Sequence, residues 1–203
     1  MIIAGKLSSK MIEVINQNNL KIIDYYNIEY FQIMNALLSA KGSIYLAKSK
    51  FSKSIYNSNI AILGFGRIGK ILAYLLHLQG ASISIGARKD NDLAWGKICG
   101  FKTIPLNNPK EFNNSISNAK YDIIINTIPS KIMNETFCKN INKNALIIDI
   151  ASPPYGMDES LAHQYTINYH RESGIPGRYA PQSAGEIIAK TIIDNILTKE
   201  DLF

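Results

Sequence analysis

"NIAILGFGRIGKILAYLLHLQGASISIGARKD" (residues 59–90) joins a β-branched run, a glycine loop, a run with helical apolar spacing and a second β-branched run. Gly64, Gly66 and Gly69 stand in the spacing G-x-G-x-x-G directly after the first run and directly before the helical one. Each glycine has a separate use there: the first allows a tight turn, the second a close backbone approach to a pyrophosphate, the third close packing of helix on strand. The start of the helix adds unpaired N–H groups and a partial positive charge. Gly64, Phe65, Gly66, Arg67, Ile68 and Gly69 are therefore the candidate cofactor-binding loop, against the alternative of a glycine turn with a packing role only.

The far end of the stretch bears on which cofactor. A carboxylate about 20 residues beyond the loop grips the ribose of NAD, but Gly86, Ala87, Arg88 and Lys89 occupy that place. An absent carboxylate removes repulsion, Gly86 leaves room, and Arg88 can fork two hydrogen bonds onto a 2′-phosphate. Arg88 and Lys89 thus favour NADP, with NAD still possible, since Asp90 and Asp92 dilute the positive field. The alternative for this pair is a solvated loop.

Downstream, "FKTIP" (101–105), "DIIINTI" (122–128) and "ALIIDIA" (145–151) continue the strands, with helical segments at 67–79, 91–99, 108–119 and 131–140. Near-continuous apolar runs alternating with helices predict an α/β fold, a doubly wound parallel sheet of the Rossmann type. The helix "AGEIIAKTIIDNIL" (184–197), with Ile187, Ile188, Ile192, Ile193 and Ile196 on one stripe, is expected to close this domain, which spans 51–203. Upstream, a strand at 1–4, a helix capped by Ser8 or Ser9 and a strand at 20–26 form a βαβ unit with too few strands for a core of its own. One or two helices over 27–50 connect it onward, so residues 1–50 read as an incomplete second α/β domain with an exposed apolar edge that invites a partner or a second copy.

Ligands of open α/β sheets sit beyond the carboxyl ends of the strands. "NTIPS" (126–130) ends one strand and offers Thr127, Ile128 and Pro129 to the cofactor, unless it is an ordinary turn with Ser130 capping the next helix. "DIASPPYG" (149–156) ends the next, where Asp149, inside an apolar run, is expected to bond backbone. "ESGIPGRYAPQSAGEII" (172–188) reads as a rigid loop in which Gly174 and Arg178 are candidate substrate contacts, Arg178 for a carboxylate. His77 is expected to pack or lie on the surface, and His163 and His170 lack a metal-ligand spacing partner. No residue is marked as the catalytic acid or base, and no metal site is expected.

The formal charge of +6 comes from 22 basic against 16 acidic residues scattered singly, which argues against nucleic acid and for a small phosphorylated ligand. Hydrophobic residues make up 46% and no stretch approaches the ~20 apolar residues of a membrane span. Cys99 and Cys138 are too isolated for a disulfide framework, and no secretory signal opens the chain, so a cytoplasmic protein is expected.

Five motifs, "ILGFGRIGK", "GAR", "INTIPS", "IDIASPPYG" and "GIPGRYAPQSAGEII", occur here in an order and spacing that resemble the family of the dipicolinate synthase A subunit over residues 55–197. The first 44 residues resemble, more weakly, the end of that family's N-terminal domain and its connecting helix. The resemblance implies a two-domain, dehydrogenase-like protein that works with a second, flavoprotein-like B subunit to oxidise dihydrodipicolinate, a cyclic dicarboxylate, in the mother cell of a sporulating bacterium. Ser152, in the strand-end stretch "DIASPPYG", is a further candidate substrate contact. Roughly the first third of the family's length has no counterpart here, and Leu38, Ser39, Ala40, Lys41 and Gly42 stand where the family has an acidic helix start. Two further readings stay open: a nucleotide-binding partner module without turnover, and a dehydrogenase of the 2-hydroxyacid or alanine dehydrogenase kind.

Overall fold

A computed structural model describes residues 2–195. Met1 of the expected first strand and Ile196 of the closing helix lie outside the described residues. Backbone packing divides the chain into two units, one made of residues 2–39 with 176–195 and the other of residues 40–175.

In the first unit β1 (Ile2–Ala4) and β2 (Ile22–Asp24) pair in parallel, Ile2 opposite Ile22, with α1 (Ser9–Gln17) between them in the chain. Ser8 caps α1 by accepting the Met11 N–H, which satisfies one orphan donor of the first turn. Asp24 ends β2 and accepts the N–H groups of Lys6 and Tyr26 at 3.2 and 2.9 Å, so one carboxylate fixes the turn at 25–27 and the end of β1 together. Tyr25 and Tyr26 then close on Phe31, at 5.1 and 5.4 Å between ring centres, where the single long helix α2 (Glu29–Lys50) begins.

The second unit carries a six-stranded, wholly parallel sheet. Its strands are β3 (Asn59–Leu63), β4 (Ser82–Ala87), β5 (Lys102–Pro105), β6 (Ile123–Asn126), β7 (Leu146–Asp149) and β8 (Asn168–Arg171). Their order, β5-β4-β3-β6-β7-β8, reverses direction between β3 and β6. Ile60, Ile62, Ile123, Ile124, Ile125 and Ile147 are wholly buried because helices cover both faces. On one face α3 (Arg67–His77) and α4 (Asp90–Ile98) lie over β3, β4 and β5, close enough that Gly69 sits against Ile62 and Gly96 against Ile85 and Thr103. The other face packs Ala61, Leu63, Ile104, Ile124 and Ile147 against α5 (Pro109–Ala119), α6 (Glu135–Asn140) and α7 (Glu159–Gln164). Successive residues of β3 therefore serve opposite faces, as the pleat requires.

Three expectations are corrected, and two elements are new. The boundary at 50/51 falls instead at 39/40, inside α2, because the C-terminal half of that helix packs with the sheet-bearing unit. The closing helix, α9 (Pro181–Asn195), groups with the N-terminal residues, where it packs on the turn at 25–27. The Gly-Pro segment is largely helical: α8 (Ile175–Tyr179) contains Pro176, Gly177 and Arg178, since Pro is tolerated in a first turn. Finally, β8 and α7 have no counterpart in the sequence reading, for β8 is an edge strand whose residues Asn168, Tyr169, His170 and Arg171 lack an apolar run.

Phe137 is wholly buried and stacks on Phe112 at 5.8 Å between ring centres. Phe137→Ala is expected to lower the unfolding free energy by about 3–5 kcal/mol, measured by urea titration; a loss under about 1 kcal/mol would contradict this packing.

Candidate functional site

The reversal of strand order places the carboxyl ends of β3 and β6 side by side, with the glycine loop above them. Gly64 follows β3 with φ +106° and donates its N–H to the Gly86 carbonyl at 2.8 Å. A Cβ there would collide with Thr127 Oγ1, so glycine is required both by the backbone and by its neighbour. A Cβ on Gly69 would strike the Gly64 carbonyl oxygen, which measures how closely α3 approaches the strand end. Gly66 differs from both: a Cβ would meet no atom within 4 Å. Gly66 is also the N-cap of α3 and supplies no side-chain cap, so the first N–H groups of the helix point outward without a capping oxygen.

The other loop residues divide by depth. Phe65 is buried with the Lys70 ammonium 5.6 Å from its ring centre, Ile68 is half-buried and Arg67 is exposed. Arg88 and Lys89 are exposed immediately after β4, and the Lys89 carbonyl accepts the N–H groups of Asp92 and Leu93 to start α4. Gly86 does not leave the room that the sequence reading assigned to it. It lies inside β4, opposite Leu63 and Ile104, and a Cβ would press on Leu63 and Leu106 at 3.0–3.2 Å. Its smallness serves packing under the loop, and Arg88 alone begins the exposed strand end.

Across the crevice, Thr127 donates both its N–H and its hydroxyl to the Leu63 carbonyl, at 2.8 and 3.0 Å. Ile128 is half-buried beside Gly64, and Pro129 is exposed. Ser130 does not cap the next helix; Asn134 does, accepting the Phe137 N–H at 3.1 Å. Ser152 is exposed on the loop after β7, and Gly174, with φ +65°, faces open space after β8. Arg178, exposed on α8, belongs to the other unit, so Ser152 and Gly174 share a unit and Arg178 does not share it.

Asn126 and Asp149, both wholly buried, form the polar centre beneath these loops. Asp149 bonds backbone as expected, through the N–H groups of Ala151 and Gly156 at 3.1 and 2.7 Å, but it also accepts from Asn126 Nδ2 at 2.8 Å and from the Tyr169 hydroxyl at 2.7 Å. Burial and the adjacent carboxylate hold the Tyr169 phenol well above its ordinary range. Arg171 stacks on Tyr155 at 4.0 Å and donates to the Met157 carbonyl at 3.0 Å, tying β8 to the same loop. Asn126, Gly156, Tyr169 and Arg171 were missed in the sequence. One signal was available: "IIIN" and "LIID" put a polar residue at the same place in two apolar strands, and the sheet register sets Asn126 opposite Asp149.

The histidines stand apart from this centre. His77 is exposed, edge-on to Phe101, and His163 is exposed on α7. His170 lies 3.0 Å from Asn168 Oδ1, its pKa lowered first by burial and then by the Lys50 charge. Among the described residues no cluster of His, Cys, Asp or Glu could hold a metal ion, and no helix is long and apolar enough to cross a membrane.

The chain is similar to known proteins in sequence and in fold. Residues 59–153 match a family described as NADP oxidoreductase, coenzyme F420-dependent. The dipicolinate synthase A subunit of Bacillus subtilis (strain 168) is 32% identical over 199 residues, 98% of this chain. The chain is similar to the dipicolinate synthase A subunit over nearly its whole length. It spans 64% of the length of that relative. The crystal structure of the dipicolinate synthase A chain from Bacillus subtilis superposes with a TM-score of 0.87 at 30% identity, covering 95% of this chain and 63% of that one. Its counterpart from Bacillus halodurans gives 0.85 at 26% identity, covering 95% and 64%. A transhydrogenase from Sinorhizobium meliloti, with a TM-score of 0.65 at 14% identity, shares the fold alone. The oxidoreductase family match takes in the glycine loop, the β4 end and the loops after β6 and β7 up to residue 153.

Gly66→Ala separates binding from packing. Because a Cβ there meets nothing, stability should change by no more than about 0.5 kcal/mol. The methyl group would stand in the approach to the helix N-terminus, so dinucleotide affinity measured by calorimetry should fall at least about tenfold. Unchanged affinity would show that the phosphates lie elsewhere.

Proposed function

We propose that this chain is the cofactor-bearing part of an NADP-linked dipicolinate synthase, oxidising dihydrodipicolinate to dipicolinate. The observation that carries the cofactor half is the open cradle at Gly66, at the uncapped start of α3, beside a β4 end that bears Arg88 and Lys89 and no carboxylate. NADP, when bound, supplies a nicotinamide ring that accepts hydride. The N–H groups at the start of α3 would hold the pyrophosphate, Arg88 would pair with the 2′-phosphate, and Lys89 would add charge beside it. Thr127, Ile128 and Pro129 bound the crevice on the far side and would face the nicotinamide half of the cofactor.

The substrate half follows the homology. Dihydrodipicolinate would lose a hydride and a proton and become aromatic, so the product's stability offsets part of the demand on a catalytic base. Ser152 and Gly174 are the proposed substrate contacts of the sheet-bearing unit, and Arg178 is proposed separately as a residue that can pair with a carboxylate. The proposed assembly includes a flavoprotein-like B subunit, in the cytoplasm of a sporulating mother cell. A second reading, a nucleotide-binding module without its own turnover, is favoured by one observation: the first unit has only a two-stranded sheet among its described residues.

Calorimetric titration of wild type and Arg88→Ala with NADP and NAD tests the cofactor assignment. The substitution is expected to weaken NADP by about tenfold or more, roughly 1.4 kcal/mol, and to leave NAD unchanged. Equal weakening of both would refute the 2′-phosphate role. Formation of dipicolinate from enzymatically generated dihydrodipicolinate, followed by ultraviolet absorbance with and without the flavoprotein-like partner, separates the enzyme from the module.

A further inference from the structure

Two loops, 127–130 after β6 and 150–157 after β7, are keyed to a single buried carboxylate. Asp149 is wholly buried, and its four hydrogen bonds come from donors without charge: Asn126 Nδ2 and the Ala151 N–H on Oδ1, the Gly156 N–H and the Tyr169 hydroxyl on Oδ2. No basic side chain forms an ion pair with it among the described residues. A carboxylate so placed is tolerated only while its hydrogen bonds are complete, which makes the geometry of its donors unusually determined.

Asn126 extends the constraint to the first loop. Its Oδ1 accepts the Ile128 N–H at 3.1 Å and its Nδ2 donates to the Ile128 carbonyl at 3.0 Å, besides the bond to Asp149. Gly156 completes the joint from the second loop, since a Cβ there would collide with Asn126 Nδ2 and with Met133. Tyr169, from β8, anchors the carboxylate to the sheet edge. The adenosine half of a dinucleotide lies over the β4 side of the strand reversal, so β6 and β7 fall under its nicotinamide half.

We propose that Asp149 is a positioning residue, which through Asn126 and Gly156 sets the two loops that receive the nicotinamide half of the cofactor. It takes no part in gripping the adenosine half. The inference rests on the NADP reading above. In Asp149→Asn, the NH2 group faces the Gly156 N–H in one orientation and Asn126 Nδ2 with the Ala151 N–H in the other, so the loops shift while the glycine loop and Arg88 stay in place.

The test compares two probes by calorimetry: NADPH, and 2′-phospho-ADP-ribose, which has the same adenosine half but no nicotinamide. Asp149→Asn is expected to weaken NADPH about tenfold while leaving the nicotinamide-free probe within about twofold of wild type. Tyr169→Phe, which removes one donor and keeps the carboxylate's backbone bonds, is expected to show the same selective loss at a smaller size, and it carries the test where Asp149→Asn does not fold. Equal weakening of both probes would reduce Asp149 to a structural role and overturn the proposal, as would no weakening of either. Failure of wild type to bind either probe would overturn the dinucleotide reading itself, whereas binding of both by wild type without selectivity in the variants overturns only the positioning role.

Discussion

The contact between Gly69 of α3 and the Gly64 carbonyl at the end of β3 sets the geometry of the rest. No residue larger than glycine fits between them. Because the helix begins this close to the strand, its first N–H groups lie over the crevice where the sheet reverses its order, and Gly66 leaves the approach to them open. Thr127 then locks the neighbouring strand by giving two hydrogen bonds to Leu63. The backbone at the start of α3 thus offers N–H groups that suit an anion.

The second level of organisation is polar and lies one strand further on. Parallel strands buried on both faces leave little place for polar residues, yet Asn126 and Asp149 sit wholly buried at matching positions. Leaving either partner of such a pair unsatisfied costs about 1–3 kcal/mol, more for a charge. Their value lies in direction, for they convert the ends of β6 and β7 from ordinary turns into loops with a set shape. Tyr169 and Arg171 continue that shape to the edge strand.

Much of the sheet was legible because its strands are apolar runs punctuated by glycine and separated by helical repeats. The tight turn at Gly64 and the close packing at Gly69 were legible because each answers a steric need that can be stated beforehand, whereas a Cβ on Gly66 meets no atom within 4 Å. β8 was hidden, since an edge strand needs no apolar run and Asn168–Arg171 carries polar side chains. The role of Gly86 was misread because only the register, which sets it opposite Leu63, shows that it packs inside the strand. The grouping of α9 with residues 2–39 rests on contacts far apart in sequence, which periodicity does not report. Asp149 was half-read: its backbone bonds follow from burial, but Tyr169 lies 20 residues away on an element the sequence concealed.

Similarity to the dipicolinate synthase A subunit extends over nearly the whole of this chain and 64% of the relative's length. The central claim is narrower: a dinucleotide lies across the β3–β6 reversal, its pyrophosphate on the start of α3 and its nicotinamide half over the loops keyed to Asp149. A crystal structure of the chain with NADP bound tests this most directly. The account predicts pyrophosphate oxygens on the backbone N–H groups at 66–68, the 2′-phosphate against Arg88 and the nicotinamide beside the 127–130 and 150–157 loops. A nucleotide seated away from the glycine loop, or bound with its adenosine half over β6 and β7, would contradict it.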